Sequence, residues 1–339
     1  MKYIVTAYAV DHSLPLVNEA DCRMLTHLNV AFGLVKDHRI QIGHLVNTDC
    51  LKAFRGWNPD LKILLSIGGW GAGGFSEAAF TEEGRRLFAD TACDAVRALD
   101  LDGIDIDWEY PTYGEADIVC HKEDKQNYTL LLKAIREALD RLDGPRRLLT
   151  TAVGADQYFV DGTEMDKAQA YLDIVQLMTY DMRGGFQVLT GHHTNLYSST
   201  GDLFRISTDS SVQMYVNAGV PRGKIVIGAA FYGRMWKNVP DRNHGLFQMA
   251  PGTGGYGAHY DEVESRLIAQ EGHVRYWDDE AKAPYLFNGT DFMSYDDEES
   301  IACKCEYLKA QGLAGIMYWE HSGDKTRRLL STMHRSLNG

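Results

Sequence analysis

An α/β fold, a (β/α)8 TIM barrel with a small α+β insertion domain between its seventh and eighth strands, is the architecture this sequence predicts. Three observations carry it. Eight short runs of β-branched and apolar residues recur along the 339 residues, segments of helical periodicity alternate with them, and one late connection is far too long for a simple loop.

The strand candidates are 3–8, 28–32, 62–67, 101–108, 148–153, 174–180, 224–229 and 313–318. Most are apolar on both faces, the pattern of a parallel sheet covered by helices outside and filled by side chains within. Amphipathic patterns at 80–99, 124–142, 211–218 and 300–311 supply the clearest helices. Eight alternating units favour a closed barrel over an open sheet. The absence of a glycine-rich dinucleotide or phosphate motif after the first strand points the same way.

From Arg234 to Leu313 the chain is much longer than a βα loop of about 2 to 6 residues plus one helix. This stretch contains glycine-rich turns between Pro251 and Gly257, a helical pattern at 262–270, and short aromatic strands around Tyr276 and Tyr285. The expected organisation is therefore a catalytic barrel from 1–236 and 292–339 and an insertion domain at 237–291. Leaving the C-terminal end of the seventh strand, the insertion should wall the face where barrel enzymes place their chemistry.

Composition narrows the function. With 45% hydrophobic and 24% charged residues the chain can bury a large core, and a net charge of −13 argues against a nucleic-acid partner. No apolar run approaches the roughly 18 residues of a membrane helix, so no membrane partner is expected. Met1-Lys2 leads into the first strand without a signal-peptide pattern, which predicts a cytoplasmic protein, or a secreted one if a leader has been removed. The six cysteines are scattered, and Cys303-Lys-Cys305 lacks the second pair a zinc site requires, so free thiols, no metal and no cofactor are expected. A monomer is expected.

The segment 101–110, Leu-Asp-Gly-Ile-Asp-Ile-Asp-Trp-Glu-Tyr, carries the chemistry. Strand alternation turns Asp105, Asp107 and Glu109 to one face and Ile104, Ile106 and Trp108 to the other. Because the second face is apolar, both faces are buried, and carboxylates placed there cost several kcal/mol unless they share protons or find donors. Packing alone does not select them. A general-acid site is the first reading and a divalent-metal site the second. Glu109 lies furthest toward the C-terminal end, and its surroundings should raise its pKa to suit a proton donor near neutrality. Two residues on one face of one strand approach a sugar from the same side, so Asp107 is poorly placed to act as the carboxylate nucleophile of an ordinary retaining glycosidase. A 2-acetamido group on the substrate is the economical alternative.

At these residues the sequence resembles the family 18 glycoside hydrolases, whose signature Asp-x-x-Asp-x-Asp-x-Glu is matched by Asp102, Asp105, Asp107 and Glu109. The likeness extends over nearly the whole chain: Lys62-Ile-Leu-Leu-Ser-Ile-Gly-Gly69 is similar to the third strand of that family, Gln176-Leu-Met-Thr-Tyr-Asp181 to the sixth, Gly228-Ala-Ala-Phe-Tyr-Gly-Arg234 to the seventh, Gly315-Ile-Met-Tyr-Trp319 to the eighth, and Phe292-Met-Ser-Tyr-Asp-Asp297 to the return from its insertion domain.

The resemblance implies that Glu109 protonates the glycosidic oxygen while Asp107 orients the acetamido group, which attacks the anomeric carbon to give an oxazolinium intermediate. It implies that Asp105, supported by Ser66 and Tyr8, tunes Asp107, that Tyr180 hydrogen-bonds the acetamido oxygen, that Met178 lines the pocket, that Asp181 and Arg234 bind sugar hydroxyls, and that Trp319 forms the floor. Trp70, flat and near a barrel rim, suits stacking on a sugar face. Tyr110, Phe32, Tyr232, Tyr113 and Trp236 are further candidates for cleft walls, whereas Trp57 and Trp277 can simply pack. His192-His193 reads as a polar loop pair. The implied substrate is chitin or chitooligosaccharide, with endo-acting hydrolysis of other N-acetylglucosamine glycans and a non-hydrolytic chitin-binding lectin as alternatives; the retained Glu109 favours the enzyme.

Overall fold

A computed structural model describes residues 3–339. Met1 and Lys2, with which the barrel domain is expected to begin, lie outside the described residues. Eight parallel strands close into a ring: β1 (Ile4–Val10), β2 (His27–Lys36), β3 (Lys62–Gly68), β4 (Gly103–Asp107), β5 (Leu148–Gly154), β6 (Ile174–Met178), β7 (Ile225–Ala230) and, after the insertion, β13 (Gly315–Trp319), which pairs back onto β1. The expected (β/α)8 barrel is what the chain forms.

Sequence rules account for the outer helices. α1 (Glu82–Ala98) starts at Thr81, whose side chain accepts the Gly84 N–H at 3.0 Å, and this cap divides the single helix expected at 80–99 from the short helix Phe75–Phe80. α2 (Asp124–Leu139) and α3 (Thr208–Asn217) follow, the latter opened by a capping box at Ser207. After the insertion come α4 (Glu298–Gln311), capped by Asp297 and ended by left-handed Gly312, and α5 (Arg328–Leu337).

Two cores result from the alternation along the strands. Outward-facing residues such as Val5, Ile63, Leu65, Ile104, Ile106 and Ile227 join the helices in one large cluster, and Trp108 stacks on Phe75 at 5.3 Å within it. Tyr8, Ala152, Ile174, Val226 and Met317 fill the ring from inside, with Met178, Tyr180 and Trp319 packed above them.

The insertion is a five-stranded antiparallel sheet of β8 (Tyr232–Trp236), β9 (Gly255–His259), β10 (Val274–Asp278), β11 (Ala283–Phe287) and β12 (Phe292–Ser294), ordered β9-β8-β12-β11-β10. It takes β8 and β12 from either side of the 237–291 segment, so the sheet begins two residues after β7 ends. Its own core holds Trp236, Tyr285, Phe287 and Phe292.

Where the sheet returns to the barrel, Lys304 of α4 and Asp296 form a fully buried ion pair at 2.7 Å. Asp296 also accepts from Thr194 Oγ1 at 2.8 Å, the Ala230 N–H at 3.0 Å and Ser300 Oγ at 2.7 Å. Thr194 Oγ1 also lies 3.2 Å from the Thr179 carbonyl, so this cluster joins the ends of β6 and β7 to α4. Removing one member of a buried pair strands the other. Lys304→Met should therefore cost about 3 kcal/mol or more, read as a shift of the urea unfolding midpoint at unchanged slope.

Candidate active site

Asp105 lies at the centre of the ring. Its register partners on the flanking strands are Ser66 and Thr150, so both neighbouring hydroxyls reach it. Oδ2 accepts from Ser66 Oγ at 2.7 Å and Tyr8 Oη at 2.8 Å; Oδ1 accepts from Thr150 Oγ1 at 2.6 Å and Gln176 Nε2 at 3.0 Å. Burial raises the pKa of Asp105, and these four bonds pull it back down.

Asp107 stands one step higher and is also buried. Its backbone approaches β3 so closely that a Cβ at Gly68, where φ is +120°, would stand 2.0 Å from the Asp107 carbonyl oxygen. Only glycine fits there. Burial, then the neighbouring Glu109 and Asp105, push the Asp107 carboxyl well above its ordinary range, and its buried Oδ1 finds no partner among the described residues. Asp105, with four donors, is thus the member of the pair better suited to hold charge.

Glu109 sits two residues beyond the last residue of β4, not in the strand, because pairing with β5 ends at Ile106 and the ladder with β3 ends at Asp107. The alternation nevertheless carries through: Trp108 is buried outside the ring, while Glu109 is half-buried at the mouth. Burial raises its pKa to about 7, against a lowering contribution from Tyr110, with the Asp181 charge adding to the rise.

Tyr180 and Met178 rise from the end of β6. Among the described residues the Tyr180 hydroxyl finds the Met317 sulfur, at 3.7 Å, as its partner, and its ring lies 6.2 Å from Tyr232. Asp181 follows with φ of 54° and is clasped by Arg234, Nε to Oδ1 at 2.7 Å and Nη2 to Oδ2 at 2.6 Å. Burial works against ionisation of Asp181, but the two bonds from Arg234 help bring its pKa far below the usual carboxylate range. Trp319 stacks on Phe32 at 5.5 Å and lies 6.1 Å from Tyr8, forming an aromatic floor. Trp70, 54% exposed, meets Tyr110 and Phe186 at 6.2 Å each.

The expected residues therefore converge on one mouth, with corrections. Trp236 is no wall; it is fully buried in the insertion and donates to the Gln187 carbonyl at 2.8 Å. Asp102, at the far end of β4, binds the Ile63 N–H and Arg55, a structural role. His192 and His193 are buried, not a polar loop pair, because each finds a distant carboxylate, Asp278 at 3.0 Å and Asp181 at 3.5 Å. Sequence reasoning missed Tyr256 of β9, which stacks on Tyr232 at 4.7 Å and points its hydroxyl toward Trp319. It also assigned no role to Gln176 and Thr150, although both lie on strands it identified. Among the described residues no three or more His, Cys, Asp or Glu gather into a metal-binding group, and no helix is long and apolar enough to cross a membrane.

Comparison with known proteins agrees with this geometry. The family described as Glycosyl hydrolases family 18 matches residues 4–324. Chitinase A1 of Niallia circulans is 39% identical over 86% of this chain, which spans only 44% of that protein's length. Chitotriosidase-1 of Mus musculus is 31% identical over 89% of this chain and 67% of its own. Among solved structures, a glycoside hydrolase family 18 N-acetylglucosaminidase from Paenibacillus barengoltzii superposes with a TM-score of 0.97 at 59% identity, covering 99% of this chain and 100% of that one.

The buried position of Glu109 is measurable. With carboxyl-labelled glutamate and Glu109→Gln as assignment control, one resonance should titrate near about 7. A midpoint in the ordinary range around 4.3 would contradict the assignment.

Proposed function

The chain belongs to family 18 of the glycosyl hydrolases, and from that membership we propose that it cleaves β-1,4 N-acetylglucosamine linkages of chitin or chitooligosaccharides with retention of configuration, using the substrate's acetamido group as nucleophile. Asp107 carries the reading: its buried, unpartnered Oδ1 lacks a donor that an acetamido N–H would supply. Tyr180, with only a sulfur beside its hydroxyl, is free to donate to the acetamido oxygen.

Glu109 gives its proton to the departing oxygen as the acetamido oxygen closes on the anomeric carbon; Asp107 accepts the N–H, and that hydrogen bond strengthens as positive charge develops in the oxazolinium ring. Glu109, now ionised, then draws a proton from the water that opens the ring. The hydroxyls around Asp105 can turn to donate or accept, which lets it tune Asp107. Trp319 provides a flat apolar face for the sugar, and the Asp181–Arg234 clasp borders the mouth where sugar hydroxyls lie.

The 59% identical N-acetylglucosaminidase favours a second reading of chain-length preference, in which single N-acetylglucosamine residues are removed. Product analysis on an N-acetylglucosamine oligomer ladder separates this from internal cleavage.

The initial product anomer should be β by NMR, and an α product would remove the substrate-assisted mechanism. Glu109→Gln should keep oligomer binding while lowering kcat by about 10²-fold to 10⁴-fold. Because Glu109 donates only when protonated, kcat/KM should be sustained below and fall as pH rises through about 7.

A further inference from the structure

His193 has no part in the reaction just described, yet it is fully buried directly behind Asp181. Nδ1 stands 3.3 Å from the Asp181 N–H and 3.5 Å from Asp181 Oδ1. Arg234 already donates to both carboxylate oxygens, so the unfilled need at Asp181 is an acceptor for its N–H. An imidazole that accepts at Nδ1 carries its proton on Nε2, which is buried with no partner among the described residues, so the Asp181 contact is the one hydrogen bond of the ring found among them.

The backbone that carries this ring is fixed on both sides. The His193 N–H donates to Ser294 Oγ at 2.9 Å, its carbonyl accepts the Met182 N–H at 3.1 Å, and its ring packs 5.3 Å from Tyr232. Thr194, the next residue, is held by Asp296 and Lys304. Asp181 itself has a left-handed backbone, φ 54°, a conformation that aspartate tolerates better than most residues and that its contacts here select.

We propose that His193 is a positioning residue for Asp181: its Nδ1 accepts the Asp181 main-chain N–H, holds that residue in the left-handed conformation, and so turns the carboxylate to Arg234 and the cleft. It acts through Asp181 and touches no substrate. The consequence for turnover rests on the sugar-binding reading of Asp181 given above; the contact itself does not.

Asparagine places its side-chain oxygen near the position of Nδ1, whereas glutamine places its own near Nε2. On a tetramer of N-acetylglucosamine, His193→Gln should lower kcat/KM about tenfold, mainly through KM, and His193→Asn should stay within about threefold of the parent. In an Asp181→Ala background the His193→Gln loss should disappear, because its target is gone. Equal losses in Asn and Gln variants, or a loss undiminished beside Asp181→Ala, would overturn the proposal. A second measurement needs neither a variant nor turnover: ¹⁵N spectra of the unaltered chain should show the His193 ring bare at Nδ1 and protonated at Nε2 at neutral pH. A proton on Nδ1 would equally sink it. If the unaltered chain neither binds nor cleaves the oligomer, the functional reading fails, while the nitrogen spectra still decide the contact.

Discussion

The site depends on a carboxylate that the barrel has to accommodate at its own centre. Asp105 is completely buried, and an isolated charge there would cost several kcal/mol. Donors from β1, β3, β5 and β6 converge on it, so the hydrogen bonds that satisfy it also fix the relative positions of half the ring. Tyr8 is held on its other side by Gln176 Nε2 at 2.8 Å, while Gln176 Oε1 is buried with no partner among the described residues. The carboxylate at its centre is fully partnered, and such a bonded centre rigidifies the strands around it.

From that fixed point a gradient of acidity runs up β4. Asp105 is the best solvated by protein donors, Asp107 by none that the described residues supply at Oδ1, and Glu109 reaches the mouth. Neighbouring carboxyls in one column resist ionising together, and their different surroundings push their proton affinities apart. Asp107 and Glu109 titrate as a linked pair rather than singly.

Much of this was legible in the chain because it rests on local periodicity. A two-residue period placed Asp105, Asp107 and Glu109 together and Trp108 apart, and the structure keeps that separation although β4 ends at Asp107. Apolar runs located all eight barrel strands. What escaped detection depends on contacts between distant segments. Tyr256 belongs to a glycine-rich turn and strand with no local signature, and it enters the site only because β9 pairs with β8. His192 and His193 looked solvated because their carboxylates, Asp278 and Asp181, come from other segments that only folding brings beside them. The division of one expected helix at Thr81 was readable in principle, since Thr-Glu-Glu-Gly carries a cap, but the surrounding periodicity masked it.

The single residue between β7 and β8 and the two-residue step from β12 to Asp296 have a mechanical meaning. The Phe231 N–H donates to the Trp319 carbonyl and its own carbonyl accepts the Tyr260 N–H, both at about 3 Å, so the crossing is bonded to β13 on one side and to the sheet's own chain on the other. The sheet that carries Arg234 and Tyr256 is thus tied to the barrel by main-chain N–H hydrogen bonds at both of its crossings, so the wall it forms is built into the barrel's own framework and not hung from a loose linker.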